Sequence, residues 1–258
     1  MSQITINDNT VSYEDMGAGS PPIVLLHGWA GNRTNFAPQL QHLARHHRVV
    51  AIDRPGHGDS PAPSRTFTME QAADALAVAC REIGLAPIVL VQHSFDRLAY
   101  AFAARHPELL AGLVVLDGPT LAGPQFEEAI RQFQAGLHSA HWREAISGFA
   151  EQLVFPSDMP AHTKQAMLAE LLATPYEVLV ATWDMFVAHN PDAAIASIRC
   201  PLLHVAGSFP SDQAALRQRC PQAETAQVRG VGHFIQLTAP DEVNALIDGF
   251  VARLNVQV

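Results

Sequence analysis

The chain has 258 residues, of which 48% are hydrophobic and only 16% are charged. This composition provides enough apolar side chain for a large buried core, and it excludes a disordered or collagen-like chain. The 25 acidic residues outnumber the 16 basic ones, and the resulting formal net charge of −9 argues against nucleic acid as a partner.

Apolar runs and helical patterns alternate along the first half of the chain. They predict a hairpin at 4–6 and 11–13, strands at 22–26, 48–52, 87–91 and 113–116, and helices at 34–45, 68–84 and 95–105. Thr68 and Gln71 resemble a capping box for the second helix, whose apolar stripe holds Ala72, Leu76 and Cys80. Strands alternating with helices predict a parallel sheet with crossover helices.

The alternation stops between residues 121 and 197, where only helical periodicity remains. It then resumes with a strand at 202–206, a helix at 213–219, a strand at 225–228 and a helix at 241–254, with Thr238 as a candidate N-cap. We therefore expect one α/β core domain, residues 1–120 and 198–258, interrupted by an all-helical lid, residues 121–197.

The cysteines and the start of the chain bear on the compartment. Cys80, Cys200 and Cys220 lie far apart without a C-x-x-C spacing, which is typical of a reducing compartment and not of a disulfide framework or zinc site. Residues 1–9 show no signal-peptide pattern, and no apolar run approaches the roughly 20 residues of a membrane helix. These features predict a soluble, cytoplasmic monomer or homodimer with no membrane partner.

The residues with catalytic potential follow the predicted strands, where open parallel sheets bind their ligands. Ser94 stands on a sharp turn between strand and helix, next to backbone N–H groups that can stabilise an oxyanion. His233 precedes the last helix and can reach the same edge. Serine needs such a base because its hydroxyl is essentially unionised at neutral pH, and a third group must orient the histidine.

These segments resemble those of the α/β-hydrolase family, in the same order along nearly the whole chain. Residues 27–29 (HGW) resemble the family's oxyanion loop, residues 53–60 (DRPGHGDS) its D-x-x-G-x-G-x-S turn, and residues 232–234 (GHF) its histidine segment. The resemblance implies a mostly parallel central sheet flanked by helices. It also implies an oxyanion hole formed by the backbone N–H groups of Trp29 and Phe95.

The turn around Ser94 departs from the family's G-x-S-x-G pattern. The chain reads Gln92-His93-Ser94-Phe95-Asp96, so both glycines are missing. The small flanking residues normally allow strand and helix to approach closely. We therefore expect Gln92 and Asp96 to widen or distort the turn, at a cost of a few kcal/mol if its geometry is kept.

The position of the third group departs from the commonest pattern as well. After the seventh strand Gly207 is followed by Ser, Phe, Pro and Ser, and the first carboxylate is Asp212. Asp117, which ends the preceding strand, is better placed, and some family members take their acid from there. Ser94, His233 and Asp117 are therefore the preferred triad. The alternatives are that Ser94 is an ordinary helix cap and that Asp117 only caps a turn.

The remaining candidates divide into substrate-site residues and structural ones. We expect the oxyanion hole and substrate site to involve His27, Gly28, Trp29, His93, Phe95, Trp142, Trp183 and Phe186. Aromatic residues of the lid, with Met185, either pack the lid or make the pocket apolar. Asp96 and Arg97 are expected to form a solvated or locally paired surface. No metal site is predicted, because His57 and Asp59 fit a turn and His138 and His141 fit a solvent-facing helix.

The leading hypothesis is a hydrolase that cleaves an ester or lactone of a small, fairly apolar substrate without a cofactor. An alternative is a cofactor-independent dioxygenase that cleaves 3-hydroxy-4-quinolone rings, which the chain resembles in its Gly-Trp loop and in the position of its acid. There His233 and Asp117 would deprotonate the substrate, and Ser94 would only bind it. A second alternative, motivated by the lost glycines, is a ligand-binding protein without catalysis.

Overall fold

A computed structural model describes residues 2–6, 9–156 and 159–254 of the chain. The strands in these residues are β1 (Ser2–Ile6), β2 (Asn9–Met16), β3 (Ile23–Leu26), β4 (Val49–Ile52), β5 (Ile88–His93), β6 (Leu110–Leu116), β7 (Leu202–Ala206) and β8 (Ala223–Gln227). They form a single sheet in the order β1-β2-β4-β3-β5-β6-β7-β8. Strand β2 pairs antiparallel with β1 and β4, and the other pairs are parallel. The predicted α/β fold is confirmed.

Helices cover both faces of this sheet. They are α1 (Ala37–Leu43), α2 (Met69–Glu82), α3 (Asp96–Arg105), α4 (Pro124–Leu137), α5 (Trp142–Phe149), α6 (Ala161–Ala173), α7 (Tyr176–Ala188), α8 (Asp192–Ser197), α9 (Gln213–Arg219), α10 (Ile235–Thr238) and α11 (Pro240–Ala252). Alternate residues of β3 point to opposite faces, so Val24 packs in the core under α2 and α3 while Leu25 packs under α1 and α11. Burial on both faces explains why β3 to β7 are mostly apolar runs, whereas the parallel edge strand β8 is largely polar and only partly buried.

Two helix starts test the predicted caps. Thr68 and Gln71 form the predicted capping box, since each side chain accepts the other residue's backbone N–H. The prediction for Thr238 is wrong. Its hydroxyl donates to the carbonyls of Val231 and Phe234, and α11 instead begins at Pro240, whose ring fixes a helical φ and lacks the N–H that would be left unpaired.

The helical insertion, residues 121–197, lies between β6 and β7 and contains α4 to α8 in its described part. It contacts the core through aromatic side chains: the indole of Trp29 donates to the carbonyl of Leu179 on α7 at 3.1 Å. Its separate status as a lid stays a prediction.

Across residues 2–6, 9–156 and 159–254, no single helix has the length and apolarity to cross a membrane, whereas α6 and α7, bent by 89°, meet that test as a pair.

The sheet brings the ends of β5 and β6 to one edge. His93 and Leu116 are register partners, so the residues that follow them, Ser94 and Asp117, leave the sheet side by side. The backbone N–H of Ser94 donates to the carbonyl of Leu116 at 2.9 Å, and that of Asp117 donates to Val205 at 2.7 Å. The parallel order of the strands thus places both side chains at the edge where ligands bind in such sheets.

The first turn of α3 is buried, contrary to the expected solvated surface. Only 1% of Asp96 and 4% of Arg97 is exposed. The Arg97 guanidinium pairs with Glu127 of α4 at 2.6 Å and donates to the carbonyls of Phe186 and His189. The helical insertion therefore covers this end of α3, and a contact between segments so distant in the chain leaves no trace in the local pattern.

Among the described residues, no charged side chain forms an ion pair with the buried Asp96 carboxyl. Its Oδ2 accepts from the Thr120 hydroxyl at 2.8 Å, while its Oδ1 has no hydrogen-bond partner among the described residues. Burial raises the pKa of Asp96 to about 6, against the opposing effects of the Arg97 charge and the Thr120 hydroxyl. The folded chain therefore holds this proton to higher pH than the unfolded chain does, and ionising Asp96 costs stability.

We expect Asp96→Asn to change the pH dependence of folding. The wild type should lose the Asp96 contribution as the pH rises from about 4 to about 6, because only the folded state still binds that proton. The unfolding free energy of Asp96→Asn relative to wild type should therefore increase by about 3 kcal/mol across this range. Urea unfolding at pH 4 to 7.5 measures it.

The control is Asp74→Asn. Asp74 lies on the surface of α2, and its pKa is lowered by its hydrogen bond to Arg105. Because the pKa of Asp74 lies below its ordinary value of 3.8, the stability difference between wild type and Asp74→Asn should stay nearly constant from pH 4 to 7.5. Parallel stability profiles for wild type and Asp96→Asn would contradict the prediction.

Candidate active site

Ser94 occupies a tight turn between β5 and α3. Its φ is 62°, in the left-handed region that a non-glycine residue adopts only at a cost of about 1–3 kcal/mol. The turn is closed by the N–H of Phe95, which donates to the His93 carbonyl at 2.7 Å, and by the N–H of Asp96, which donates to the Ser94 carbonyl at 2.6 Å. Such strain is characteristic of a residue whose side chain must be presented at a site.

The turn accommodates Gln92 and Asp96 without the expected widening. The Gln92 amide is buried and donates to the carbonyls of Leu26, His27 and His93 at 2.9–3.1 Å, so it fills the space between β3 and β5 with hydrogen bonds. The space for Asp96 comes from Gly118, since a Cβ there would lie 2.7 Å from the Asp96 Cβ. Gly118 thus provides the space that a glycine at the position of Asp96 would otherwise provide.

Ser94, His233 and Asp117, which the sequence places far apart, form one hydrogen-bonded series. Ser94 Oγ lies 2.9 Å from His233 Nε2, and His233 Nδ1 lies 2.8 Å from Asp117 Oδ2. Asp117 and His233 are both buried. Since the Asp117 carboxylate can only accept, Nδ1 is the donor, which leaves Nε2 to accept the Ser94 proton. This arrangement matches the nucleophile, base and orienting acid of a catalytic triad.

The loop after β7 holds the Asp117 carboxylate. Backbone N–H groups of Gly207, Ser208 and Phe209 donate to it at 2.6, 3.1 and 3.1 Å. Gly207 allows this approach, because a Cβ there would lie 2.8 Å from Asp117 Cγ. Asp212 does not take part: it caps α9 by accepting the N–H of Ala215 at 2.8 Å. The loop that lacks an acid thus serves as the cradle for an acid on the neighbouring strand.

Two aromatic residues fix the His233 ring and its backbone. The Phe209 ring stacks on the imidazole, with centroids 3.6 Å apart and planes at 11°. His93 Nε2 donates to the His233 carbonyl at 3.0 Å, and burial, followed by the nearby His233, holds the pKa of His93 well below its ordinary value. His93 is thus a neutral support. Sequence reasoning missed Phe209, for which its position in the loop after β7 was the only signal.

The Gly28-Trp29 segment lies directly against Ser94. A Cβ on Gly28 would lie 3.0 Å from the Ser94 Cβ, so a larger residue would have to push Ser94 aside by a few tenths of an ångström. The His27 side chain points the other way: Nδ1 donates to the Gly28 carbonyl at 2.8 Å, and Nε2 accepts the N–H of Arg54 at 3.0 Å. His27 therefore shapes the loop. It does not line the cavity at Ser94, whereas a substrate-site residue would.

The cavity at Ser94 is small, about 40 Å³, and mostly apolar. Its walls include Trp183 and Phe186 from α7, as the sequence predicted. Trp142 is not among its lining residues: it packs on Tyr176, with centroids 5.0 Å apart, so its predicted role in the substrate site is wrong. Because α5 is amphipathic, sequence alone does not tell whether its aromatic residue faces the site or another helix of the insertion.

The predicted turn and surface histidines are where the sequence suggested. His57 and Asp59 lie in the turn after β4, where Asp53 accepts the Asp59 N–H at 3.0 Å. His138 and His141 are exposed. In the part of the chain that the structure describes, no group of three or more His, Cys, Asp or Glu side chains is arranged to hold a metal ion.

Comparison with known proteins agrees with this architecture. The sequence model of the alpha/beta hydrolase fold matches residues 21–190. The chain is 28% identical to a pimeloyl-[acyl-carrier protein] methyl ester esterase of Xanthomonas campestris, over 93% of this chain and 98% of that protein. It is 23% identical to the (E)-2-((N-methylformamido)methylene)succinate hydrolase of Acinetobacter baylyi, over 95% of each.

Among solved structures, a thermophilic esterase from Thermogutta terrifontis superposes with a TM-score of 0.84 at 24% identity, covering 99% of both chains. These similar proteins are hydrolases. The sheet order, the turn at Ser94 and the match over residues 21–190 together show that the chain belongs to the α/β-hydrolase fold family.

Proposed function

We propose that this chain is a serine hydrolase that cleaves esters, lactones included, of small and fairly apolar acids. The observation that carries the proposal is the hydrogen-bonded series from Ser94 through His233 to Asp117, at 2.9 and 2.8 Å. The methyl ester esterase activity named for the Xanthomonas relative supports an ester as the substrate.

In the proposed reaction Ser94 Oγ attacks the ester carbonyl while His233 Nε2 takes its proton. Asp117 keeps the imidazole in the accepting tautomer and stabilises the imidazolium that forms. His233 then gives the proton to the departing alkoxide, which leaves as the alcohol. Water, deprotonated by His233, then attacks the acyl carbon. The bond between this carbon and Ser94 Oγ breaks, His233 returns the proton to Ser94 Oγ, and the carboxylic acid is released.

The negative oxygen of the tetrahedral intermediate would be bound by backbone N–H groups. Gly28 allows the Trp29 segment to approach Ser94, and Phe95 begins the turn into α3, whose N-terminus favours negative charge. In the free enzyme the Phe95 N–H donates to the His93 carbonyl. The proposal therefore requires that this hydrogen bond be exchanged for one to the oxyanion as the intermediate forms.

Substitution of the nucleophile provides the first test. Wild type should hydrolyse p-nitrophenyl acetate and react with a fluorophosphonate at Ser94, because His233 activates this hydroxyl. Ser94→Ala should lose the label and at least about 10³-fold in kcat. Mass spectrometry locates the label, and absorbance follows hydrolysis. Ser197→Ala, on the exposed surface of α8, is the control and should match wild type.

Other outcomes identify the alternatives. A folded sample without label or hydrolysis would contradict the proposal. If that sample consumed oxygen with a 3-hydroxy-4-quinolone, without metal or flavin, it would be a dioxygenase in which Ser94 only binds. If it bound ligand without turnover, it would be a ligand-binding member of the fold.

The position of the acid is tested by a pair of substitutions. Asp117→Asn should lower kcat by about 10³–10⁴-fold, because the amide allows the wrong tautomer of His233. Asp212→Asn should retain activity within about twofold and keep its stability, because asparagine caps a helix as well as aspartate does. Hydrolysis of p-nitrophenyl acetate by both variants, with circular dichroism as the folding check, decides. The opposite ranking would place the acid after β7.

The size of the cavity predicts the preferred acyl group. Leu171 of α6 lines the cavity, whereas its neighbour Leu172 does not. Leu171→Ala should therefore raise the ratio of kcat/KM for p-nitrophenyl butyrate over acetate by about tenfold, at a stability cost of about 2–5 kcal/mol. Leu172→Ala should leave the ratio unchanged. Equal ratios in both variants would mean that the acyl group binds elsewhere.

A further inference from the structure

A second and larger cavity, about 310 Å³, lies between the loop that follows β4, α2 and α7. Its walls are mostly apolar and include Ile52, Leu76, Ala75, Ala181 and Met185. The volume lies within the range of small-molecule sites, which combine apolar walls with a few polar groups. The chemistry of its ligand therefore depends on those few groups.

The buried charge in its wall is Arg54, of which only 6% is exposed. Its Nη2 donates to the Gly28 carbonyl at 2.7 Å, its guanidinium lies 4.6 Å from the centre of the Phe95 ring, and its Nε has no hydrogen-bond partner among the described residues. Burial lowers the pKa of Arg54 to about 9, so the group remains a cation at neutral pH.

The contrast with Arg97 shows what Arg54 lacks. Arg97 is buried to the same extent, but it pairs with the carboxylate of Glu127 and donates to two carbonyls. Within the described residues no carboxylate pairs with Arg54. A buried cation without a counter-charge is costly, and an anionic ligand would remove much of that cost.

Arg54 provides the buried charge of the cavity wall, because the other titratable groups among the described lining residues are neutral or exposed. His57 is neutral, because burial and then the Arg54 charge lower its pKa to about 3. Arg65 and Glu177 also line the cavity, but both are exposed, of opposite sign and screened by water. One buried positive charge in an apolar cavity matches a ligand with one negative charge and an apolar body.

We propose that this cavity binds a monocarboxylate with an aliphatic chain, its carboxylate on the Arg54 guanidinium and its chain along the wall formed by α2 and α7. A guanidinium recognises a carboxylate by parallel hydrogen bonds, and the apolar walls remove the methylene groups from water. The site is distinct from the cavity at Ser94, and its existence does not depend on the proposed hydrolysis.

The first experiment is calorimetric titration of the wild type with octanoate, hexanoate and 1-octanol. Octanoate should bind at least tenfold more tightly than 1-octanol, because only the carboxylate pairs with Arg54. Each methylene removed should weaken binding about fourfold. Octyl phosphate is the comparison for the anion, and if it bound more tightly than octanoate, the site would be one for phosphate. Equal binding of octanoate and 1-octanol would overturn the role of Arg54.

Two substitutions place the ligand in this cavity. Arg54→Met should abolish the preference for octanoate over 1-octanol while keeping the binding of 1-octanol, a result that misfolding would not produce. Ala181→Phe, on the opposite wall, should fill the cavity and abolish both. Ala188→Phe, the same change at an exposed position of α7, is the control and should bind octanoate as wild type does. Unchanged octanoate binding by Ala181→Phe would overturn the proposal.

A final measurement separates this site from the cavity at Ser94. Protein whose Ser94 carries a bulky fluorophosphonate group should still bind octanoate with an affinity within about twofold of the free protein. Loss of octanoate binding on labelling would assign the ligand to the Ser94 cavity and overturn the proposal. If Ser94 does not react at all, the proposed hydrolase fails, while the titrations of Ala181→Phe and Ala188→Phe still decide on the carboxylate site.

Discussion

The arrangement of the site depends on how the buried carboxylate of Asp117 is held. Asp117 follows β6 and has a φ of 48°. Its carboxylate accepts hydrogen bonds from the backbone N–H groups of Gly207, Ser208 and Phe209 and from Nδ1 of His233. Burying an anion in the core would be prohibitive without these donors. Three of these donors come from the loop after β7, so the Asp117 carboxylate connects the end of β6 with that loop and with the loop that holds His233. This connection sets the orientation of the His233 ring.

The turn at Ser94 shows that a close approach of backbone segments can be achieved by more than one residue. In the family pattern a glycine stands at the position of Asp96, the first residue of α3, whereas here Gly118 on the facing loop makes room for Asp96. On the strand side, the Gln92 amide fills the space with hydrogen bonds to carbonyls. The missing glycines are therefore no evidence against a competent turn, because the steric condition applies to the pair of surfaces and not to one position.

What the sequence predicts well is what local physics determines. Continuous apolar runs indicated β3 to β7, and the order of the strand ends along the chain predicted that Ser94, Asp117 and His233 lie close together, as their hydrogen bonds show. The prediction of Thr238 as a cap failed for a local reason, whereas two other failures concern contacts between distant segments. Asp96 and Arg97 look like surface residues on their own helix, but the loop after β6 contacts Asp96 and the helical insertion covers Arg97. The direction of Trp142 depends likewise on the packing of helices against one another, which hydrophobic periodicity does not specify.

Arg54 connects the two cavities electrostatically. Its guanidinium donates a hydrogen bond to the Gly28 carbonyl and lies over the Phe95 ring, and these two residues flank Ser94. With no acidic partner among the described residues, its field acts on any negative charge that develops at Ser94, in surroundings where water screens little. A carboxylate bound to Arg54 would cancel most of this field, because a close ion pair acts at a distance only as a dipole. If both proposals hold, an anion in the larger cavity should therefore weaken the stabilisation of the oxyanion, and a neutral ligand of the same shape should not.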